Sequence, residues 1–321
     1  MVSNNSKEQR VIVVGTRQSA LALTQSGQVI DELKRISEQQ GLGYTFEVRK
    51  IVTKGDRILD VTLSKVGGKG LFVKEIEQAL LDGEIDIAVH SMKDMPFQLQ
   101  EGLMNGATPK RVNPLDCLVT REGQDLDSLP QGARVGTSSL RRASQLKNRR
   151  PDLQLESIRG NIDSRIRKLE TEGFDAVVLA AAGLTRMGWE DRISSLIPED
   201  ICIPAVGQGA LGIECRENDR QVRELLALLN DRETEITVRA ERSFLGRLNG
   251  GCQVPIGAYA TIVSEEADGP VLELTGMVGS PDGETLLKEM KRGKDPEKLG
   301  KEVAESLIAG GADRILAEIG G

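Results

Sequence analysis

Arginine recurs in this sequence at the predicted beginnings of helices, where the helix dipole normally disfavours a cation. Arg17 follows the strand-like run 11–14, and Arg141 and Arg142 fall in the first turn of a helix predicted to begin at 137–139. Three further arginines lie after predicted strands or early in helices, namely Arg159, Arg165 and Arg186. Helix N-termini and guanidinium groups both attract anions. The pattern predicts a ligand with several carboxylates or phosphates, with surface ion pairs as the simpler alternative for any single arginine.

A dense polar cluster, His90-Ser91-Met92-Lys93-Asp94, follows a buried-looking strand predicted over 85–89. In a cleft rich in arginine, the Asp94 carboxylate is suited to protonate a leaving amine or to stabilise a transient cation. The alternative is a helix capping box, because Ser91 and Asp94 have the required spacing. His90 is interpreted as a hydrogen-bonded residue at a strand end rather than as a base.

Cys252 lies in Gly250-Gly251-Cys252-Gln253-Val254-Pro255, a predicted loop at the end of a helix. Its glycine neighbours leave the sulfur accessible to an electrophile or to a covalently attached group. Cys202 and Cys215 have apolar neighbours, which is typical of buried packing. The four cysteines show no Cys-x-x-Cys spacing and His90 is the single histidine, so we expect neither a metal site nor a disulfide framework.

The glycine-rich run 66–72 matches neither the Walker pattern nor the dinucleotide fingerprint. It suits a mobile loop or lid over a cleft, with Lys65 and Lys69 as additional cations and Phe72 as an apolar cover. A solvated connection between two elements is an equally good interpretation.

Length and composition restrict the class of protein. A chain of 321 residues predicts about two domains, with three allowed. The net charge of −7 and an aromatic content of 2% make nucleic acid a poor partner. No apolar run approaches the roughly 20 residues that span a bilayer, and the polar first ten residues resemble neither a secretory nor a transit signal. We therefore expect a cytoplasmic protein without a membrane partner.

Strands and helices alternate over the first two thirds of the chain, which predicts parallel sheets. The predicted fold class is α/β, with two doubly wound, periplasmic-binding-protein-like lobes and a smaller C-terminal α+β domain with a short antiparallel sheet. The expected boundaries are 1–109 with 210–230 for the first lobe, 110–209 for the second and 231–321 for the third domain. Ligands of such sheets bind beyond the carboxyl ends of the strands, where the arginines lie, so the lobes should enclose a cleft.

These residues give the chain a close resemblance to the porphobilinogen deaminase family of tetrapyrrole biosynthesis. The resemblance runs from about Arg10 to near the C-terminus. Its ordered motifs are 15–19, 65–72, 90–94, 135–142, Arg159-Gly160-Asn161, 204–209 and 250–255.

The resemblance implies an enzyme that adds four porphobilinogen units, with loss of ammonia, to a dipyrromethane cofactor held by a thioether to Cys252, and releases linear hydroxymethylbilane. It implies that Asp94 is catalytic, assisting loss of ammonia and stabilising the azafulvene and pyrrole cations. Carboxylates of the cofactor would be held by Lys93, Thr137, Ser138, Ser139, Arg141 and Arg142. Carboxylates of the substrate would be held by Arg17, Ser19, Arg159, Arg165 and Arg186, with Phe72 covering the reacting ring. The family also implies a monomer.

One departure from the family pattern is visible, because Asn113-Pro114-Leu115-Asp116 stands where Asp-Pro-Arg-Asp is usual. The change removes a charge pair near the predicted hinge, so it bears on the geometry between the lobes rather than on the chemistry.

Two other classes of protein remain as alternatives. A two-lobed binding protein for small anions would share the sheets and the arginines but would need an export signal and neither Cys252 nor Asp94. A nucleic-acid-binding protein fits the composition least well.

Overall fold

The computed structural model describes residues 10–57, 73–250 and 254–320, which form two five-stranded sheets and one three-stranded sheet. The elements before residue 110 are β1 (Val11–Thr16), α1 (Ala20–Gln39), β2 (Thr45–Lys50), α2 (Lys54–Arg57), α3 (Lys74–Leu81), β3 (Ile87–Ser91) and β4 (Leu103–Ala107). Those of the middle of the chain are β5 (Asp116–Thr120), β6 (Arg134–Gly136), α4 (Leu140–Arg149), β7 (Gln154–Glu156), α5 (Ile162–Thr171), β8 (Ala176–Ala180), α6 (Ala181–Arg186) and β9 (Ser195–Ile197). The remainder comprises β10 (Leu211–Arg216), α7 (Arg220–Ala227), α8 (Arg232–Arg247), β11 (Ile256–Glu266), β12 (Gly269–Gly279), β13 (Leu286–Gly293), α9 (Pro296–Ala309) and α10 (Ala312–Gly320).

The first sheet has the order β2-β1-β3-β10-β4. Strand β1 pairs in parallel with β2 and β3, whereas β10 runs antiparallel to β3 and β4. Helix α1 begins at Ala20 because the Ser19 side chain accepts a hydrogen bond from the backbone N–H of Ala22. Val29, Leu33 and Ile36 of this helix recur at helical spacing and are buried in the core that also contains the β1 residues.

The second sheet repeats this pattern with the order β7-β6-β8-β5-β9. Strand β6 pairs in parallel with β7 and β8, and β5 runs antiparallel to β8 and β9. Two segments connect the sheets. Residues 108–115 lead from the first sheet to the second, residues 198–210 lead back to the first, and the two segments lie side by side. The Val112 N–H donates to the Gly209 carbonyl oxygen at 3.2 Å, and a Cβ atom at Gly209 would lie 2.5 Å from the Val112 carbonyl oxygen. This contact explains why glycine is required there.

The third sheet is an antiparallel meander, β11-β12-β13, covered by α8 and α9. The predicted α/β class with a short antiparallel C-terminal sheet is confirmed. The sequence pattern predicts only helices between the strand-like segment 271–278 and the C-terminus, and this prediction is wrong, because β13 forms one edge of the sheet. This strand carries charged residues such as Lys288 and exposes 51% of Met290. An edge strand with many charges lacks a clear apolar alternation, which is why the sequence pattern did not reveal it.

Within residues 10–57, 73–250 and 254–320, every helix is too short or too polar to span a bilayer.

We expect the Gly300→Ala variant to be destabilised, because α9 crosses α8 closely at this residue. A Cβ atom would lie 2.4 Å from the Ala240 carbonyl oxygen and 2.6 Å from the Phe244 nitrogen. Relieving such contacts requires the two backbones to move apart, at a cost of about 1–3 kcal/mol. Gly27→Ala in α1 is the matched control, since no atom lies within 4 Å of its added Cβ. Urea denaturation should show a lower midpoint for Gly300→Ala alone, and equal midpoints would contradict the packing.

Candidate functional site

A cavity of about 110 Å³ lies between the two five-stranded sheets and is lined by residues from both. Four cationic side chains line it, Lys93 from the turn after β3 and Arg142, Arg165 and Arg186 from α4, α5 and α6. The segment that returns from the second sheet also contributes, through Gln208, Gly209 and Ala210. The structure therefore brings predicted site residues from distant parts of the chain into one cleft.

Burial makes these cations unusual. It lowers the pKa of Arg165 to about 10, with the positive charges of Arg142 and Arg159 acting in the same direction. Burial likewise lowers the pKa of Arg186 to about 10. For Lys93, burial lowers the pKa, Asp94 opposes that shift and Arg142 adds to it. With pKa values of about 10, Arg165 and Arg186 are still protonated at neutral pH, but burial deprives both of water, and Arg165 is also repelled by the neighbouring guanidinium groups. An anion in the cavity would relieve both costs.

Asp116 is the counter-ion of the arginine pair at the start of α4. It is fully buried, and its Oδ2 accepts from Arg141 Nη1 at 2.7 Å. Its Oδ1 accepts from Arg142 Nε at 2.9 Å and from Arg142 Nη2 at 2.8 Å. Burial alone would raise the pKa of Asp116, but the two guanidinium groups and their hydrogen bonds outweigh burial and hold it well below its usual range.

The two arginines of this pair have different surroundings. Arg141 is 4% exposed, and its Nη1 also donates to the Ile203 carbonyl oxygen at 2.8 Å, so this side chain is occupied by protein partners. Arg142 donates from Nη1 to the Val178 carbonyl oxygen at 2.9 Å and also lines the cavity. Neither arginine forms the surface ion pair that was the simpler alternative, because the shared carboxylate of Asp116 lies in the interior.

The remaining predicted residues lie elsewhere around the strand ends. Ser19 and Ser139 serve as N-caps of α1 and α4. Arg17 and Arg159 are half-buried, Thr137 is buried, and Ser138 Oγ donates to the Ile158 carbonyl oxygen. None of these six is among the side chains that line the cavity in the described parts of the chain. Arg186 ends α6 instead of starting a helix, so a cation is favourable at its position.

Asp94 is exposed at the end of a short 3-10 turn, Met92–Asp94, directly beside Lys93. The capping-box interpretation of this segment is wrong, because the Ser91 side chain makes no capping hydrogen bond. Ser91 Oγ instead accepts from Gln25 Nε2 at 3.0 Å. His90 is buried, with its Nε2 3.0 Å from Glu214 Oε2. The predicted residues Lys65, Lys69, Phe72 and Cys252 lie outside the residues that the structure describes.

Sequence reasoning missed two residues of the site, Asp116 and Gln208. Gln208 is 1% exposed, and its Nε2 donates to Asp116 Oδ1 at 2.9 Å. The available signal was the adjacent pair Arg141 and Arg142 in a helix that packs against a sheet. Two buried guanidinium groups require a buried carboxylate, but only the tertiary structure shows which acid supplies it.

Comparison with known proteins decides the family. The model of the porphobilinogen deaminase dipyrromethane cofactor binding domain matches residues 12–224, and the model of the C-terminal domain of porphobilinogen deaminase matches residues 235–309. The chain belongs to the porphobilinogen deaminase family. The porphobilinogen deaminase of Paenibacillus macerans is 61% identical over 317 residues, covering 94% of this chain and 98% of the relative. That of Brevibacillus brevis is 58% identical over 306 residues, covering 95% and 96%.

Solved structures with some likeness to this member of the porphobilinogen deaminase family have low sequence identity. A lipoprotein of the YaeC family from Enterococcus faecalis is 14% identical with a TM-score of 0.42, covering 72% of this chain and 96% of that one. The periplasmic aliphatic sulphonate binding protein SsuA from Escherichia coli is 10% identical with a TM-score of 0.40, covering 74% and 70%. The family membership rests on the sequence matches alone.

We expect Asp116→Asn to be strongly destabilising, because it keeps the shape of the side chain but leaves two buried guanidinium groups without a negative partner. Removing one member of a buried ion pair costs about 3–5 kcal/mol. Asp127→Asn is the matched control, because Asp127 pairs with Arg149 of the same helix but is exposed. Thermal unfolding should show a large loss for Asp116→Asn and little change for Asp127→Asn. Similar melting temperatures for the two variants would show that the buried pair does not hold α4 in place.

Proposed function

We propose that this protein condenses four porphobilinogen molecules head to tail, with release of ammonia, into linear hydroxymethylbilane. The observation that carries the proposal is the cavity lined by Lys93, Arg142, Arg165 and Arg186, in a chain of the porphobilinogen deaminase family. Each pyrrole ring of the growing product bears an acetate and a propionate, so the product is a polyanion. Cations that lack water and repel one another are suited to such a ligand.

The described residues fit a dipyrromethane cofactor in this cleft. Its carboxylates match the cationic lining, and the desolvated Lys93 and Arg142 would hold them, with Thr137, Ser138, Ser139 and Arg141 supporting the start of α4. When bound, the dipyrromethane supplies the terminal pyrrole carbon to which the first substrate ring is joined. Carboxylates of the substrate would be bound by Arg165 and Arg186, which line the cavity, and by Arg17, Ser19 and Arg159, which follow strand ends outside its lining. Charge-assisted hydrogen bonds contribute about 1.5–3 kcal/mol each, which is enough to orient a ring that must later move.

Asp94 is the residue we assign to the chemistry. Its carboxylate is exposed, and Asp94 directly follows Lys93, which lines the cavity, although Asp94 itself is not among the lining residues. We infer that it hydrogen-bonds the ammonium group of porphobilinogen and assists its departure as ammonia. The negative charge of Asp94 then stabilises the cation left on the ring, and later the cation formed when two rings are joined.

Cys252 is the proposed attachment point of the cofactor. The other three cysteines are buried, and burial raises the pKa of Cys117 to about 12, of Cys202 to about 12 and of Cys215 to about 11. Thiols of this kind are poor nucleophiles and have no space for a dipyrromethane. Cys252 follows α8 between two glycines and Val254-Pro255, a sequence context that supports accessibility.

We further propose that the three sheets belong to three domains with the boundaries expected from the sequence, 1–109 with 210–230, 110–209 and 231–321. The protein would act as a cytoplasmic monomer on a small-molecule substrate, with neither nucleic acid nor membrane as a partner.

We expect Asp94→Ala to lower kcat/KM for porphobilinogen by about 10²–10⁴-fold, because the ring cation and the departing amine lose their only assigned carboxylate. The variant should fold and keep the mass of its covalent adduct. Asp31→Ala, an exposed aspartate on α1, should leave turnover unchanged. Substantial residual activity in Asp94→Ala would refute the assigned role.

Intact-mass spectrometry tests the attachment point. The purified chain should exceed its sequence mass by one dipyrromethane, because the thioether survives denaturation. Cys252→Ser should lack this excess, whereas Cys215→Ala should retain it. An adduct that persists in Cys252→Ser would exclude this cysteine.

A further inference from the structure

Helix α8 turns one side towards the Met92–Asp94 turn and the chain that follows it. Val238, Arg242 and Gly246 recur every four residues of this helix, so they lie on the same side of it. Val238 is buried in one apolar cluster with Met92, the first residue of the turn, and with Met95, the residue after its end. The turn is therefore packed directly on α8.

The guanidinium group of Arg242 binds the backbone just after Asp94. Its Nη2 donates to the Pro96 carbonyl oxygen at 2.6 Å and to the Phe97 carbonyl oxygen at 3.0 Å, and its Nη1 lies 3.5 Å from the Met95 carbonyl oxygen. Three successive peptide groups thus turn their oxygens towards one planar cation. Charge-assisted hydrogen bonds from a rigid fork of donors fix the direction of this backbone as well as its position.

The side chain of Phe97 adds a second contact at the same place. The guanidinium carbon of Arg242 lies 6.0 Å from the centroid of the Phe97 ring. The ring also packs on the backbone of Gly246, where a Cβ atom would lie 2.5 Å from its Cε2 and 2.7 Å from its Cε1. Because Phe97 is 49% exposed, it is held by α8 rather than by enclosure in a core.

The Met92–Asp94 turn is anchored on both of its sides. At its start, the Met92 N–H donates to the Ala210 carbonyl oxygen at 3.0 Å, which ties it to the segment that returns from the second sheet. After its end, the contacts with Arg242 tie the chain to α8. The exposed Asp94 lies between these two anchors, so the place of its carboxylate depends on both.

We propose that Arg242 is a positioning residue for Asp94. By holding the backbone directly after the turn, its guanidinium group keeps the Asp94 carboxylate in place for the reacting ring and fixes it relative to the helix that precedes Cys252. This role rests on the proposed function. A displacement of about 1 Å in a catalytic group can cost about 10²-fold in rate. Releasing the turn should therefore slow the reaction while the cationic cavity still binds carboxylates.

Steady-state kinetics of the holoenzyme test this role. Arg242→Met keeps an apolar side chain of similar reach but removes the fork of donors. We expect its kcat for porphobilinogen to fall roughly tenfold, with KM within about twofold of the wild-type value and the covalent adduct retained in the intact mass. Arg239→Met is the matched control on α8, because Arg239 is half exposed and pairs with Glu297 of α9, and its kcat should be unchanged. A raised KM with an unchanged kcat in Arg242→Met would contradict the proposal.

A combined variant separates positioning from a merely structural role. If Arg242 acts through Asp94, adding Arg242→Met to Asp94→Ala should cause no further loss of kcat, because the carboxylate that it positions is already absent. The same fractional loss in both backgrounds would show that Arg242 acts independently of Asp94, and the proposal would then be wrong.

Arg242→Lys provides the test if Arg242→Met does not fold. Lysine retains the positive charge and the apolar stem, but its single ammonium group lacks the planar fork that spans successive carbonyl oxygens. Its kcat should fall by about threefold with KM unchanged, because the turn is held less precisely. A wild-type kcat in Arg242→Lys would overturn the proposal.

Failure of this inference differs from failure of the proposed function. A wild-type preparation that does not turn over porphobilinogen would refute the function. Wild-type turnover combined with an unchanged kcat in Arg242→Met would refute only the role of Arg242.

Discussion

The structure of the cleft depends on one buried carboxylate, that of Asp116. Two adjacent guanidinium groups, Arg141 and Arg142, enter the interior at the start of α4, and without a negative partner the cost of removing them from water would prevent the helix from packing there. Asp116 begins β5, the first strand after the chain leaves the first sheet. Its interaction with both arginines therefore fixes α4 relative to the connection between the sheets.

The same carboxylate joins a longer network that reaches helix α8. Gln208 bonds to Asp116, its backbone accepts from Arg111, and Arg111 pairs with Glu241 of α8. Glu241 also accepts from the Gly207 N–H at 2.7 Å and from the Ala260 N–H at 3.0 Å. Every member is hydrogen-bonded in a low-dielectric interior, where such networks are rigid and costly to break in part. The helix that precedes Cys252 is thus tied to the segments between the two sheets.

Two arginines in the cavity lining differ from the pair that Asp116 neutralises. Arg165 and Arg186 lie near other positive charges without an acid partner of their own among the described side-chain contacts, and burial lowers the pKa of each to about 10. The protein therefore contains one arginine pair that Asp116 neutralises, which stabilises the fold. It also contains arginines in the cavity lining whose charge an anionic ligand would neutralise. The departure at Asn113 and Leu115 does not disturb this division, because Asp116 keeps both of its guanidinium partners.

Hydrophobic periodicity, turn residues and capping side chains determined much of this protein in the sequence alone. The α/β class, the helix predicted from Gln18 onward, the buried strand before the Lys93-Asp94 turn and the short antiparallel C-terminal sheet all follow from local patterns. Strand β13 did not, since a charged edge strand lacks a clear alternation. The arginine positions predicted an anionic ligand, but local patterns could not separate arginines that bind a ligand from those that bind the protein. Only the tertiary structure made that distinction, because the partners of Arg141 and Gln208 are distant in sequence and the cost of burying a charge depends on which groups surround it.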